Sequence, residues 1–569
     1  MKLVELRIAN FRGLGGSNNV IRFEGSNVIF LIGQNNVGKS SFLHAYEFFV
    51  DSKQKAVESD FFQYKTDTPI EIEADFRREV GDEENPDFSN EPDWINKWVQ
   101  TDTGLITIKK VWMEADKVFS KYTKSAAGTF VKNGFGGMES LFTKYAPTPI
   151  AINAIETVES LEKKVNEIIE KEHLKKLKED YTAEYEDAVT AIKKIQDKVT
   201  SSATIRTYNT NINASFRKVF PSLSLKISIK DEGGGIDVVK AFKTNHSIDV
   251  AKDGVTRKET FSQHGHGVIR QALFNFFAFL KNETTGNKKE YVLLFEEPEL
   301  FLHPKSTRLL REELYSLAEN SPFQILCCTH CPQMIDISKP HCSLVRLCKG
   351  EDERTVSHQV GESIFQNEVN KDFVQMVNRF DPNVCEAFYA NTVCLVEGDT
   401  EAVICRELLK SAYPSTDIFV LNTGSKNNIP FFQRILTHFS ISHVVIHDSD
   451  TRYAYEDKER TTPRTKTDGS PRANSAWAMN KSIQTEIESA KEKGVPVARL
   501  VSVYDFETAN GYAMDPDKGK PLSAFEFATS HKDTLALPIR KFIDQITSWE
   551  FEKEWNEEEI EAVEEPWKG

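Results

Sequence analysis

Eight consecutive residues, Gly33-Gln34-Asn35-Asn36-Val37-Gly38-Lys39-Ser40, constrain this chain more than any other feature. They follow the apolar run Val28-Ile29-Phe30-Leu31-Ile32 and precede Ser41-Phe42-Leu43-His44-Ala45-Tyr46. The run reads as a buried strand and the segment after it as the first turns of a helix. Between them stands a complete G-x-x-x-x-G-K-[ST] loop. Its glycines let backbone N–H groups approach phosphate oxygens, Lys39 reaches the β- and γ-phosphates, and Ser40 offers a hydroxyl to Mg²⁺. Average residue usage produces the pattern by accident in roughly one chain in fifty of this length, and the flanking strand and helix make accident rarer still. The expectation is a nucleoside triphosphate site, with Gly33, Asn35, Asn36, Gly38, Lys39, Ser40 and Ser41 as contacts.

At 569 residues the chain is too long for one core, and about three domains are expected. Hydrophobic content of 39% and charged content of 28% are those of an ordinary globular protein. No run approaches the roughly 18 apolar residues of a membrane span. The start, Met1-Lys2-Leu3-Val4-Glu5-Leu6-Arg7, alternates like a strand and carries no secretory pattern. Eight scattered cysteines suit a reducing, cytoplasmic setting. A net charge of −15 argues against a histone-like nucleic-acid binder. It leaves room for a nuclease, whose metal-binding acids count against the total while local basic patches meet phosphate.

A second apolar run ends in acids at Tyr291-Val292-Leu293-Leu294-Phe295-Glu296-Glu297-Pro298-Glu299. This is the pattern of a Walker B strand, with Glu296 holding Mg²⁺ and Glu297 polarising the attacking water. A solvated acidic turn is the plain alternative. Phe301-Leu302-His303-Pro304 and a third strand ending Cys327-Cys328-Thr329-His330 decide against it. Cys328 and Cys331 have C-x-x-C spacing without a second pair at a finger-like distance, so small apolar residues on a buried strand account for them better than zinc.

With Ile8-Ala9-Asn10-Phe11-Arg12-Gly13 at one end and Thr329-His330-Cys331-Pro332-Gln333 at the other, this part of the chain resembles the ABC-type ATPase heads of the SMC, RecF and OLD (overcoming lysogenization defect) proteins. The resemblance implies that Arg12 contacts the nucleotide, that His330 senses the γ-phosphate, and that the site closes across a dimer. The signature segment maps to Ser262-Gln263-His264-Gly265-His266-Gly267, which departs from the usual Ser-Gly-Gly-Gln order. Between the motifs, residues 155–200 contain neither Gly nor Pro and place apolar residues at loose helical spacing. They read as long helices, either a dimerisation element or a solvated helix laid over the core. After them Leu223–Ile229 alternates as a strand, and Gly233-Gly234-Gly235 turns the chain back.

A new unit begins near Asn391. Thr392-Val393-Cys394-Leu395-Val396 runs into Glu397-Gly398-Asp399-Thr400-Glu401, and His443-Val444-Val445-Ile446-His447 runs into Asp448-Ser449-Asp450. Glu507 lies just past a third apolar stretch. Acids on neighbouring strand tips repel one another unless cations neutralise them, and hard oxygen ligands suit Mg²⁺ or Mn²⁺. Glu-Gly-x-x-Glu followed by Asp-x-Asp, with Asn422-Thr423-Gly424 between, resembles the Toprim domain of topoisomerases, primases and OLD nucleases. That resemblance makes Glu397, Glu401, Asp448, Asp450 and Glu507 the metal ligands, with Glu397 and Asp448 at the centre of catalysis. It also calls for a lysine near the C-terminus, which Lys532 or Lys541 would supply. The stretch from Lys458 to Arg472, with Arg460, Arg464 and Lys466, reads as a flexible basic loop that either meets a phosphate backbone or is merely solvated.

The order ATPase-then-Toprim points to the OLD family. It implies an α/β chain with an ABC-type P-loop ATPase in residues 1–150 and 216–385, a helical insertion at 151–215, and a Rossmann-like Toprim nuclease domain at 386–569. It further implies ATP and Mg²⁺ (Mn²⁺ at the Toprim site) as cofactors, DNA as substrate, and a homodimer or larger homo-oligomer. The family includes phage-defence effectors, among them the Gabija nuclease and nucleases encoded with retrons, so a defence-system partner protein or retron nucleic acid is a further expected partner. A DNA clamp without cleavage and a partner-held sensor are the other two readings.

Overall fold

The computed structural model describes residues 1–17, 19–78, 97–133, 145–154, 160, 203–229, 246–252, 259–260, 268, 274–275, 277, 290–350, 352–361, 382–457 and 460–563. Within them the chain opens with β1 (Lys2–Ala9), β2 (Asn19–Arg22), β3 (Val28–Ile32) and α1 (Lys39–Val50). There follow β4 (Ile70–Arg77), β5 (Leu105–Trp112), β6 (Ser120–Lys124), β7 (Phe130–Lys132) and β8 (Thr148–Ile152). Helix α2 (Ala203–Val219) leads into β9 (Leu223–Ile229), β10 (His246–Lys252) and β11 (Glu259–Thr260). The first unit ends with β12 (Tyr291–Glu296), α3 (Pro304–Ala318), β13 (Phe323–Cys328), β14 (Leu344–Lys349) and β15 (Thr355–Gln359).

Strand β3 is buried along its whole length, as a strand covered on both faces must be. It lies inside a six-stranded sheet of order β15-β14-β3-β13-β12-β8. The inner pairs are parallel and β15 alone runs against its neighbour. The parallel arrangement brings the carboxyl tips of β3, β12 and β13 to one edge, so the P-loop, Glu296-Glu297 and Thr329-His330 meet there. Helix α1 packs one face of this sheet against an antiparallel sheet of order β2-β1-β4-β5-β6-β7, through Phe42, Tyr46 and Phe49 among Ile29, Leu31, Ile72 and Phe76. Helix α3 covers the other face with Leu310, Leu314 and Leu317. The alternating stretch from Leu223 is a strand as expected, paired with β10 in a three-stranded sheet.

The second unit contains β16 (Thr392–Val396), α4 (Asp399–Ala412), β17 (Ile418–Asn422), α5 (Ile429–His438), β18 (Ser442–Asp448), α6 (Ser475–Glu492), β19 (Val497–Ser502), α7 (Phe506–Asn510) and α8 (Gly519–His531). Its four strands are all parallel, in the order β17-β16-β18-β19. One apolar cluster continues from β3 and β13 through Phe388 into Val393, Leu395 and Val445, so the two units share a core. Polar ties cross the same joint. The Arg346 guanidinium donates to the carbonyls of Ser440 and Ala390, each at 3.0 Å, and the Gln34 amide donates to the Asp417 carboxylate.

The expected boundary at residues 150 and 151 falls within β8, and that at 215 and 216 within α2. Apart from Ser160, the expected insertion helices at 155–200 lie outside the described residues, as do Gly233–Gly235 and Ser262–Gly267. The basic loop after Asp450, where it is described, folds back on itself. Isolated bridges join Tyr453 to Ala473, Tyr455 to Pro463 and Thr465 to Pro471, and Arg464 N–H donates to the Ala454 carbonyl at 2.7 Å. Arg460 then pins the excursion, with its guanidinium 2.8 Å from Asp505 and 3.8 Å from the Tyr504 ring centroid. Among the described residues no helix is long and apolar enough to cross a membrane.

Candidate active sites

At the P-loop the polar groups are already satisfied by one another. The Lys39 ammonium, 5% exposed, donates to the Gly33 carbonyl at 2.8 Å and to the Gln34 carbonyl at 2.5 Å. Burial pushes its pKa down to about 8. The Ser40 hydroxyl donates to Glu296 Oε1 at 2.5 Å, placing two hard oxygens side by side as Mg²⁺ ligation requires. Gly33 is a fixed requirement of the loop: its φ is +143°, and a Cβ there would collide with the Leu347 carbonyl. Asn35 and Asn36 are exposed on the loop crest, and Ser41 follows in α1.

Glu297 adopts a left-handed φ of 45°, its N–H held by the Cys328 carbonyl at 2.9 Å. That brings its carboxylate to 3.7 Å from His330 Nε2. Desolvation, with Lys39 adding repulsion, lowers the His330 pKa to about 4, so the imidazole is neutral near pH 7. Arg12, also at positive φ, is bound to Asp60 through its side chain at 3.0 Å and its N–H at 2.7 Å.

Several supports here carry no sequence motif. Buried Asp60 anchors Arg12, and the Thr355 hydroxyl lies within hydrogen-bond distance of both the Gly13 and Val37 carbonyls, bracing the P-loop. Glu299 accepts from the Thr329 hydroxyl at 2.5 Å, tying the Walker B turn to the tip bearing His330. The acid of Glu-Pro-Glu was the only one of these that the local pattern could have singled out. Cys327 and Cys328 are buried on β13.

On the four-stranded parallel sheet, β16 delivers Glu397 to its tip and the first turn of α4 delivers Glu401. Strand β18 ends in Asp448, whose N–H donates to Glu397 Oε1 at 2.7 Å. The turn beyond is laced to the tip of β19: Ser449 N–H bonds the Ser502 carbonyl at 2.9 Å and Asp450 N–H the Tyr504 carbonyl at 2.8 Å. This lacing carries Glu507, in the first turn of α7, toward the same edge. Burial pushes Asp448 up to about 9, with Glu397, Glu401, Asp450 and Glu507 all adding repulsion. Burial likewise raises Glu397 to about 7, and Glu401 is raised for the same first reason.

Among the described residues no three His, Cys, Asp or Glu side chains close around a single point as metal ligands. Glu397 is turned onto the Asp448 amide, and Asp450 is turned onto Lys426, whose Nζ lies 2.6 Å from Asp450 Oδ2. The donor set nevertheless fits a hard dication. It is all carboxylate oxygen, and its mutual repulsion is what such a charge relieves. Behind Asp448, His447 Nδ1 contacts the Asp448 carbonyl at 2.6 Å while its Nε2 accepts from buried Arg499 at 2.8 Å. The arginine fixes the tautomer, so Nδ1–H is the donor.

Lys532 caps the C-terminal end of α8 and Lys541 lies in the following helix, both exposed. Lys520, at the N-terminal end of α8, is the lysine whose charge acts on Glu401. Along a helix, Lys532 is about 18 Å from Lys520.

The family profile described as "AAA ATPase domain" matches residues 1–126 and 151–335, more than half of the chain. A second, "Overcoming lysogenization defect protein-like, TOPRIM domain", matches residues 388–450. The chain belongs to the AAA ATPase domain family and carries an OLD-like Toprim domain. This two-part ATPase is similar to the Old nuclease of Escherichia phage P2, 24% identical over 473 residues that cover 79% of this chain and 77% of that protein. It is similar to Endonuclease GajA of Bacillus cereus (strain VD045), 23% identical over 473 residues, with 79% and 75% covered. The OLD nuclease of Thermus scotoductus (strain ATCC 700910 / SA-01) is 31% identical over 165 residues, 28% of the OLD-like chain and 30% of the relative.

Proposed function

We propose that this chain is an ATP-gated, divalent-metal-dependent DNA endonuclease that hydrolyses phosphodiester bonds at its Toprim site. The observation that carries the reading is the gathering of Glu397, Glu401, Asp448, Asp450 and Glu507 on one sheet edge, where burial and all four neighbours disfavour the charge on Asp448. Mg²⁺ or Mn²⁺ held by these oxygens would supply an activated water and charge relief for the oxygen leaving phosphorus. The chain's own part is to surrender the protons on Asp448 and Glu397, to hold their oxygens in place, and to bind the backbone. Arg464, Lys466 and Arg472 are exposed on the excursion that follows Asp450, where phosphates would reach them, and Arg460 holds that excursion to Asp505. Lys532 or Lys541 remains the proposed C-terminal lysine, and Lys520 joins them through its action on Glu401.

In the ATPase site, Lys39 would exchange the Gly33 and Gln34 carbonyls for β- and γ-phosphate oxygens, and Ser40 with Glu296 would hold Mg²⁺. Arg12 would contact the nucleotide, Glu297 would polarise water, and neutral His330 would read the γ-phosphate by donating one hydrogen bond. The Gln34 amide bonded to Asp417 would offer a physical route from nucleotide to nuclease. A homodimer closing over ATP, a cytoplasmic setting and a role in phage defence complete the proposal, resting on the family resemblance.

The test is cleavage of supercoiled plasmid with Mg²⁺ or Mn²⁺, with and without ATP, by the unaltered chain and by Asp448→Ala. Nicking or linearisation that the variant lacks is the expected result, and its ATP response gives the sign of the gating. A folded, ATP-binding protein that cuts under no condition would sink the free-standing nuclease in favour of a partner-released effector or a clamp.

A further inference from the structure

Lys426 is 4% exposed, and a lysine is almost never buried so far unless it is paired. Its position is built by a turn at the tip of β17. Gly424 takes a φ of +72°, in the left-handed region. The Thr423 hydroxyl donates to the Val396 carbonyl at 2.9 Å, which fastens the turn to the strand bearing Glu397. Asn428 donates to the Thr423 carbonyl at 2.7 Å, and Ser425 caps the short helical turn through Asn427 N–H at 3.2 Å. The ammonium so placed donates to Asp450 Oδ2 at 2.6 Å and to the Asp448 carbonyl at 2.5 Å. Its charge also acts on Glu397. Of the other cations near the site, Arg460 pairs with Asp505 and Arg499 is bonded to His447, while Lys520 acts on Glu401 through its charge, with no ion pair to a site acid among the described contacts.

We propose that Lys426 is the resident counter-cation and positioning residue of the Toprim acid site, holding Asp450 and the Asp448 backbone until a dication takes over the charge. The proposal rests on reading those acids as a metal site. Two consequences separate it from a lysine that merely supports the fold. Without Lys426 the metal-free site loses the ammonium paired with Asp450, so the protein becomes less stable, and added metal restores the loss. In the same variant the dication meets no competing charge. Removing a positive charge bonded to one of the oxygens that would hold the dication should strengthen binding by on the order of tenfold even in a water-like dielectric. Turnover at saturating metal should still fall, by about 10- to 100-fold, because the aspartates are no longer oriented.

The experiment is calorimetric titration of the nucleotide-free full chain with MnCl₂, using an Asp448→Ala, Asp450→Ala double variant to identify the Toprim component, alongside thermal unfolding in EDTA and in Mn²⁺. For Lys426→Met we expect tighter Mn²⁺ binding and a lowered Tm in EDTA that recovers in Mn²⁺, with Lys426→Arg close to the unaltered chain in both. Should the Met variant fail to fold, Lys426→Gln, which keeps a hydrogen bond without the charge, carries the test. Unchanged or weaker Mn²⁺ binding, or a Tm deficit equal in EDTA and Mn²⁺, overturns the proposal. Plasmid cleavage by the unaltered chain is scored separately. Cleavage with the wrong Lys426 behaviour rejects this inference alone, and the right Lys426 behaviour without cleavage rejects the nuclease reading alone.

Discussion

The two candidate sites handle charge in opposite ways. At the P-loop each charged group already has a complementary partner: Lys39 sits on carbonyls, Glu296 accepts from Ser40, and Arg12 holds Asp60. On the Toprim edge like charges are stacked, and Asp448 is pushed up to about 9 with four other acids adding to the effect of burial. One site exchanges ready partners for a ligand. The other stores repulsion that only cations or protons relieve. A site of the first kind tolerates an empty state at little cost, whereas the second trades stability for affinity.

The largest expected effect tests that trade directly. Asp448→Asn should abolish metal-dependent cleavage while raising the Tm of the metal-free protein, because it removes the group on which the repulsion converges. A plasmid assay and unfolding in EDTA check both halves, and a variant less stable than its parent would show that the acids are not in conflict. By contrast, Lys39→Met should remove ATP binding, measured by calorimetry, and leave Toprim Mn²⁺ binding intact.

The pH response is the next largest and also divides the sites. A carboxylate whose folded pKa is raised binds its proton more tightly when folded than when unfolded. Its penalty is absent below the unfolded value of about 3.9, and it grows as pH rises toward the folded value, about 9 for Asp448. The metal-free protein should therefore lose Tm steadily between these limits, and Asp448→Asn should flatten the slope. Dications compete with the same protons, so Mn²⁺ affinity should rise over that window. A Tm profile as steep in the variant as in the parent would assign the slope elsewhere.

How much of this was legible in sequence follows the same division. The P-loop, Glu296-Glu297, His330, Glu397 and Asp448 were readable because each lies at the end of an apolar strand, where local pattern alone fixes position. Parallel pairing of those strands then brings them together. Asp60, Thr355 and Lys426 were not readable, since their importance comes from partners 48, 342 and 24 residues away. Lys426 left one faint signal, a lysine two places past a turn glycine at a strand tip. The contacts of the basic loop were not readable either, because Arg460 acts through the distant Asp505 and Tyr504.

The smallest effect concerns the link between the two sites. Gln34 occupies a variable position of the P-loop, so no motif assigns it a role, yet its amide reaches the Asp417 carboxylate across the joint. Asp417 also accepts from Asn391 N–H at 2.8 Å, just before β16 begins. Glu397 follows directly on β16, so a shift in the loop around ATP would reach the base of a strand whose tip leads into a site acid. Gln34→Ala and Asp417→Asn should each keep ATP binding and metal-dependent cleavage while shrinking the ratio of cleavage rates with and without ATP. Coupling energies between sites commonly correspond to about 5- to 150-fold changes, and loss of one surface hydrogen bond should remove only a fraction of that. The double variant should be no worse than the Asp417 variant alone, because the Gln34 contact they share also needs Asp417, which in addition holds Asn391. Additive losses would mean that the two residues act on separate routes, and an unchanged ATP response would place the coupling in the shared apolar core around Phe388 and Leu395 instead.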